Sequence, residues 1–130
     1  MAKIIIVEDD LKTANLYKER LEKEGYEVKV SADEAAFDTI KQEKPQLVLL
    51  DLLMPKVNGL MILRAIKTEP GLEDLPVLIL TNVDGVKELS EAIAFGASGY
   101  LVKSETSLDV LANKVRSIVE SESIASGVKG

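Results

Sequence analysis

Five side chains stand where an apolar run gives way to polar residues. Glu8 and Asp9 follow Ile4-Ile5-Ile6-Val7. Asp51 follows Leu47-Val48-Leu49-Leu50. Thr81 follows Leu78-Ile79-Leu80, and Lys103 follows Tyr100-Leu101-Val102. Gathered in one place, three carboxylates repel each other and need cations to hold them. Lys103 brings one positive charge. A hard divalent ion such as Mg²⁺ brings two more; it prefers oxygen ligands, takes one or two carboxylates and keeps room for water or a phosphate. Phosphoryl transfer needs little beyond positioning and charge neutralisation. A carboxylate nucleophile, a metal, a lysine and a hydroxyl donor are sufficient parts. Asp51 suits the nucleophile, because its strand is the most apolar and central. Asp9 suits a direct metal ligand, with Glu8 acting through water or at longer range. Thr81 would donate to one phosphoryl oxygen and Lys103 would pair with another.

Each residue alone has a plainer explanation. An Asp after a strand is often a cap or turn residue. Glu8-Asp9-Asp10 alone could be the acidic first turn of a helix. A lone Thr or Lys at a strand end carries almost no information. What the plain explanations do not cover is the recurrence of such groups at the same end of successive strands.

The elements that must position them alternate. Short apolar runs without polar interruption suit strands buried on both faces. They occur at Lys3–Val7, Leu47–Leu50, Pro76–Thr81 and Gly99–Val102, and Glu27–Val30 reads as a further short strand. Between them, helical spacing joins Leu11, Ala14, Tyr17 and Leu21. It also joins Ala36, Phe37 and Ile40; Leu60, Leu63 and Ile66; and Val86, Leu89 and Ile93. A last helix runs through Leu108, Leu111, Val115, Ile118 and Val119. Asp10 fits a helix N-cap, Ser31 and Glu34 fit a capping box for the second helix, and Gly25, Lys44-Pro45 and Gly96 fit helix ends. Such alternation predicts an α/β domain: a doubly wound five-stranded parallel sheet with helices on both faces. Ligands of such sheets bind at the carboxyl ends of the strands. Residues 1–120 read as one domain, and Ser121–Gly130, rich in Ser and Gly, reads as a flexible tail or linker stub.

Composition narrows the function. The chain has 130 residues, no Cys and no His, which removes disulfides, thiolate chemistry and Ser-His-Asp triads. The formal net charge of -6 argues against nucleic acid as a direct ligand, since phosphate contacts need a basic face. No apolar run is long enough to span a membrane, and the N-terminus lacks a signal-peptide layout. A cytoplasmic location is expected.

The pieces IIIVEDD, LVLLDLLMP with Gly59, VLILTN and GYLVK resemble the response-regulator receiver domains of two-component signalling, of the stand-alone chemotaxis type. The likeness covers Lys3 to Val119. It implies the flavodoxin-like strand order 2-1-3-4-5, which places strands one, three, four and five side by side. It implies that Asp51 is the phospho-acceptor, and that Glu8, Asp9, Asp51 and the Leu53 carbonyl hold Mg²⁺. It also implies that Thr81 and Tyr100 switch together, with Lys103 as the site lysine. A histidine kinase or histidine phosphotransfer protein would be the donor. A downstream protein target or output domain would read the helix 4/strand 5/helix 5 face. The domain would be a monomer when unphosphorylated, and no enzyme beyond Mg²⁺-dependent self-phosphorylation from a donor and slow self-dephosphorylation. Two positions depart from the usual pattern. Ser104 stands where Pro, in a cis peptide, is usual after the lysine, and Asn82 stands where a small residue is usual after the threonine. A non-proline cis bond costs about 2.5–4 kcal/mol, so a trans Lys103–Ser104 peptide is expected.

Other functions fit less well. Metal-dependent phosphatases with an aspartate nucleophile typically place a second Asp two residues on; here that position is Leu53, which transfers no proton. A P-loop hydrolase is excluded by the absence of GxxxxGK[ST]. An alternative is a receiver-like interaction module that signals without phosphorylation.

Overall fold

The computed structural model describes residues 1–82 and 85–127, the side chains of 86 and 122–127 excepted. Five strands and five α-helices alternate: β1 (Lys3–Val7), α1 (Leu11–Lys23), β2 (Glu27–Ser31), α2 (Ala36–Glu43) and β3 (Leu47–Leu50). They continue with α3 (Gly59–Thr68), β4 (Val77–Thr81), α4 (Val86–Ala94), β5 (Gly99–Val102), a 3₁₀ turn (Lys103–Glu105) and α5 (Leu108–Gly127). The strands pair in the order β2-β1-β3-β4-β5, all parallel.

The register lines up the strand ends. Val7 lies opposite Ser31 and Leu50, Leu50 opposite Ile79, and Thr81 opposite Val102. The residues that follow these ends therefore share one rim.

Strand side chains alternate between two cores, as the pleat dictates. Ile5, Val7, Val48, Leu50, Val77 and Ile79 pack with Ile40 of α2, Ile62, Leu63 and Ile66 of α3, and Ala92 of α4. Ile4, Ile6, Leu47, Leu49, Leu78 and Leu80 pack with Ala14 and Leu21 of α1 and with Leu111 and Val115 of α5. Both faces of the central strands β1, β3 and β4 are covered, which is why they read as apolar runs, whereas the edge strand β2, EVKVS, alternates.

Helix ends follow the sequence signals with one exception. Asp10 caps α1, its Oδ1 accepting the Lys12 N–H at 3.1 Å. Gly25 and Gly96 take left-handed φ angles of 99° and 105° just past α1 and α4, which glycine adopts without a Cβ penalty. Lys44, just before Pro45, ends α2 at φ 50°. The capping box expected from Ser31 and Glu34 does not form. Ser31 belongs to β2, paired with Val7, and its carbonyl accepts the Glu8 N–H at 3.2 Å. Asp33 turns the chain instead, accepting the Ala35 N–H at 2.9 Å. α5 continues to Gly127, beyond the last position of apolar spacing. The rest of the expected tail, 128–130, lies outside the described residues. No described helix is long and apolar enough to cross a membrane.

Candidate functional site

At the carboxyl rim, β1 delivers Glu8 and β3 delivers Asp51 from neighbouring strands. Both are nearly sealed from solvent, at 2% and 4% exposure, although isolated buried carboxylates are costly. The Lys103 ammonium offsets that cost. It arrives from beyond β5, donates to Glu8 Oε1, and lies 2.9 Å from Asp51 Oδ2. Backbone amides satisfy the remaining oxygens: the Asp10 N–H donates to Glu8 Oε2 and the Leu53 N–H to Asp51 Oδ1, each at 3.0 Å.

Burial pushes the Glu8 carboxyl above its ordinary pKa, and the Lys103 hydrogen bond pulls only partly the other way. Burial also works against the Lys103 charge, but the hydrogen bonds to Glu8 and Asp51 outweigh it, so its pKa is raised.

Asp9 completes an acidic group. Carboxylate oxygens of Glu8, Asp9 and Asp51 lie within 4.8 Å of one another, and Asp9 is the least buried of the three. An all-oxygen set of this size suits a hard divalent ion such as Mg²⁺. Leu53 sits at the same corner, bridged to Asn58 in a short antiparallel contact. Asn58 Oδ1 then caps α3, accepting the Leu60 N–H at 2.9 Å. Gly59 opens α3 so close to the end of β3 that a Cβ there would lie 2.4 Å from the Asp51 carbonyl oxygen.

Thr81 ends β4 fully buried. Tyr100 lies on β5 opposite Ile79 and is 48% exposed, its ring turned outward. The structure therefore brings Glu8, Asp9, Asp51 and Lys103 into one cluster, with Thr81 at the end of the adjoining strand and Tyr100 outside it. No peptide among the described residues is cis, so Lys103–Ser104 is trans, as expected.

Two features escaped the sequence reading. Glu8 engages Lys103 directly. Asn82 Oδ1 accepts the Ser104 N–H at 2.9 Å, joining two positions that looked like separate departures. A non-proline residue after the lysine, which leaves an N–H to be satisfied, was the available signal for the second.

Residues 4–116 match the response regulator receiver domain family. The chain belongs to that family. This receiver is 31% identical over 120 residues to the DNA-binding dual master transcriptional regulator RpaA of Synechocystis, covering 92% of this chain and 49% of that protein. It is 34% identical over 102 residues to the response regulator MprA of Mycolicibacterium vanbaalenii, covering 78% of this chain and 43% of that protein. The chain thus spans less than half the length of these curated relatives. Among solved structures, the BeF3-activated N-terminal receiver domain of Klebsiella pneumoniae RstA superposes with a TM-score of 0.80 at 32% identity, covering 90% of this chain and 97% of that one. The chemotaxis protein CheY4 of Vibrio cholerae gives 0.84 at 26% identity, covering 91% and 98%. Receivers are the signal-accepting domains of two-component response regulators, and the family binds Mg²⁺ in an acidic pocket.

Proposed function

We propose that this receiver is a phosphorylation switch in which Asp51 takes a phosphoryl group from a phosphohistidine. The observation that carries this reading is Lys103 bridging the buried Glu8 and Asp51. An Asp51 oxygen attacks phosphorus; the new O–P bond forms as the N–P bond of the donor imidazole breaks, and the electron pair stays on that nitrogen. The sequence contains no His, so the donor histidine belongs to another protein or domain, a histidine kinase or a phosphotransfer protein. Glu8, Asp9, Asp51 and the Leu53 carbonyl are the residues that would hold Mg²⁺. When bound, the ion would neutralise the carboxylates and the incoming phosphoryl oxygens. Lys103 pairs with one phosphoryl oxygen and leaves its present grip on Glu8 to do so.

The phosphoryl group brings about two negative charges. Thr81 supplies a hydroxyl for one of its oxygens by moving inward, and the space vacated beside β4 accepts the Tyr100 ring. The face made by α4, β5 and α5 changes shape, and a downstream partner or output domain reads it. Self-dephosphorylation returns the resting state.

The test is intact mass after incubation with phosphoramidate and Mg²⁺. Wild type gains one phosphoryl group and Asp51→Asn gains none, because an amide is not a competent nucleophile here. Equal labelling of both would overturn the acceptor assignment. A wild type that takes no label would favour an interaction module that works without phosphorylation.

A further inference from the structure

The turn that carries Lys103 is tied at several points. Within the turn, Thr106 Oγ1 donates to the Val102 carbonyl at 2.7 Å, and the Thr106 N–H donates to the Lys103 carbonyl at 3.3 Å. Across the rim, the Ser104 N–H donates to Asn82 Oδ1 at 2.9 Å. Amides at the start of a helical turn lack partners within it, and asparagine side chains are suited to satisfy them. Here the asparagine comes from a different segment, the residue that follows Thr81 at the end of β4.

We propose that Asn82 is a positioning residue for Lys103, tethering the lysine's turn to the strand end that bears the switch hydroxyl. The proposal rests on the reading of Asp51 as acceptor. A lysine is a point charge on a flexible four-carbon stem. Its backbone must be fixed if the ammonium is to stay beside Asp51. The Asn82 bond fixes the residue next to Lys103 against β4. Because Asn82 is bonded directly to Thr81, an inward pull on Thr81 also loads the Ser104 tether. The hydroxyl and the lysine then respond as a unit, and Lys103 is moved from its resting grip toward the incoming group.

The test uses Asn82→Ala, which removes the acceptor, Ser104→Pro, which removes the donor, and the double variant. Labelling of Asp51 by phosphoramidate at saturating Mg²⁺ gives the rate, and hydrogen exchange of the Ser104 amide reads the tether directly. Each single variant is expected to slow labelling about three- to tenfold with the end point still at one phosphoryl group. The double variant should be no slower than the slower single. The Ser104 amide should exchange faster in Asn82→Ala and stay protected in Asn82→Asp, which keeps an acceptor oxygen at the same reach. Wild-type labelling rates in both singles would overturn the proposal, as would effects that multiply in the double. Equal Ser104 exchange in wild type and Asn82→Ala would overturn it too, and that comparison holds even if Asp51 proves not to be the acceptor. Absence of label on wild type would count against the acceptor reading alone.

Discussion

Lys103 Nζ stands 2.9 Å from Asp51 Oδ2 while it also holds Glu8. The two carboxylates sit at 5% and 3% side-chain exposure, so one ammonium balances two nearly buried charges. The resting site is thus a charge cluster with an excess of negative charge, and much of its behaviour follows from that imbalance.

Lys103→Ala leaves Glu8 and Asp51 facing each other without their shared cation. Breaking a buried ion pair from one side costs about 3–5 kcal/mol. Urea unfolding in chelator should show a loss of about 3 kcal/mol, and saturating Mg²⁺ should recover part of it. Equal stability of the variant and wild type in chelator would contradict the charge balance described above.

Asp9→Ala acts in the opposite sense. It removes one negative charge from the cluster, so the metal-free fold should melt at a higher temperature than wild type. Mg²⁺ affinity, followed by titration, should fall at least about tenfold. An unchanged affinity would remove Asp9 from the ligand set.

The acid limb of stability carries a separate signature. Hydrogen bonds from Lys29, and then from Lys3, hold the Glu43 carboxyl down to about 2 from its ordinary 4.5. A depressed folded-state pKa gives stability that is present above the unfolded value and lost as pH falls through the folded one. The difference between wild type and Glu43→Gln should be constant above pH 4.5 and shrink as pH falls toward about 2. Denaturant midpoints across that range would show it. A difference independent of pH would mean that the lysines stabilise the fold without this carboxylate's charge.

Thr81→Ala should still accept a phosphoryl group on Asp51 but respond weakly around Tyr100. A ligand shifts a conformational equilibrium only through contacts that differ between the two states. NMR shift changes in α4, β5 and α5 on adding beryllofluoride make the comparison. The full wild-type pattern in Thr81→Ala would take the hydroxyl out of the coupling.

The sequence revealed most of the sheet because β1, β3 and β4 are covered on both faces, and an apolar run such as Leu47–Leu50 has few other uses. It revealed the rim because parallel strands in register deliver Glu8 and Asp51 side by side. It misplaced the start of α2 because Ser31 has capping chemistry, but its backbone is claimed by pairing with β1. It placed Glu8 by the metal and overlooked Lys103 as its partner, since a contact across 95 residues leaves no local trace. The Asn82–Ser104 bond was hidden in the same way, although each of its ends was visible as an unusual residue.

The close approach of Gly59 to the Asp51 carbonyl gives the first turn of α3 the character of a mechanical stop. A methyl group at position 59 would have to displace either the helix or the strand end that bears Asp51, because the three atoms it would meet, at 2.4, 2.7 and 3.2 Å, are all backbone. The placement of α3 and the geometry at Asp51 are therefore a single degree of freedom at this point. In the intervening loop, Leu53 is 55% exposed, so its side chain has room to change. An alteration at 59, by contrast, would be felt at Asp51 before it was felt in the core.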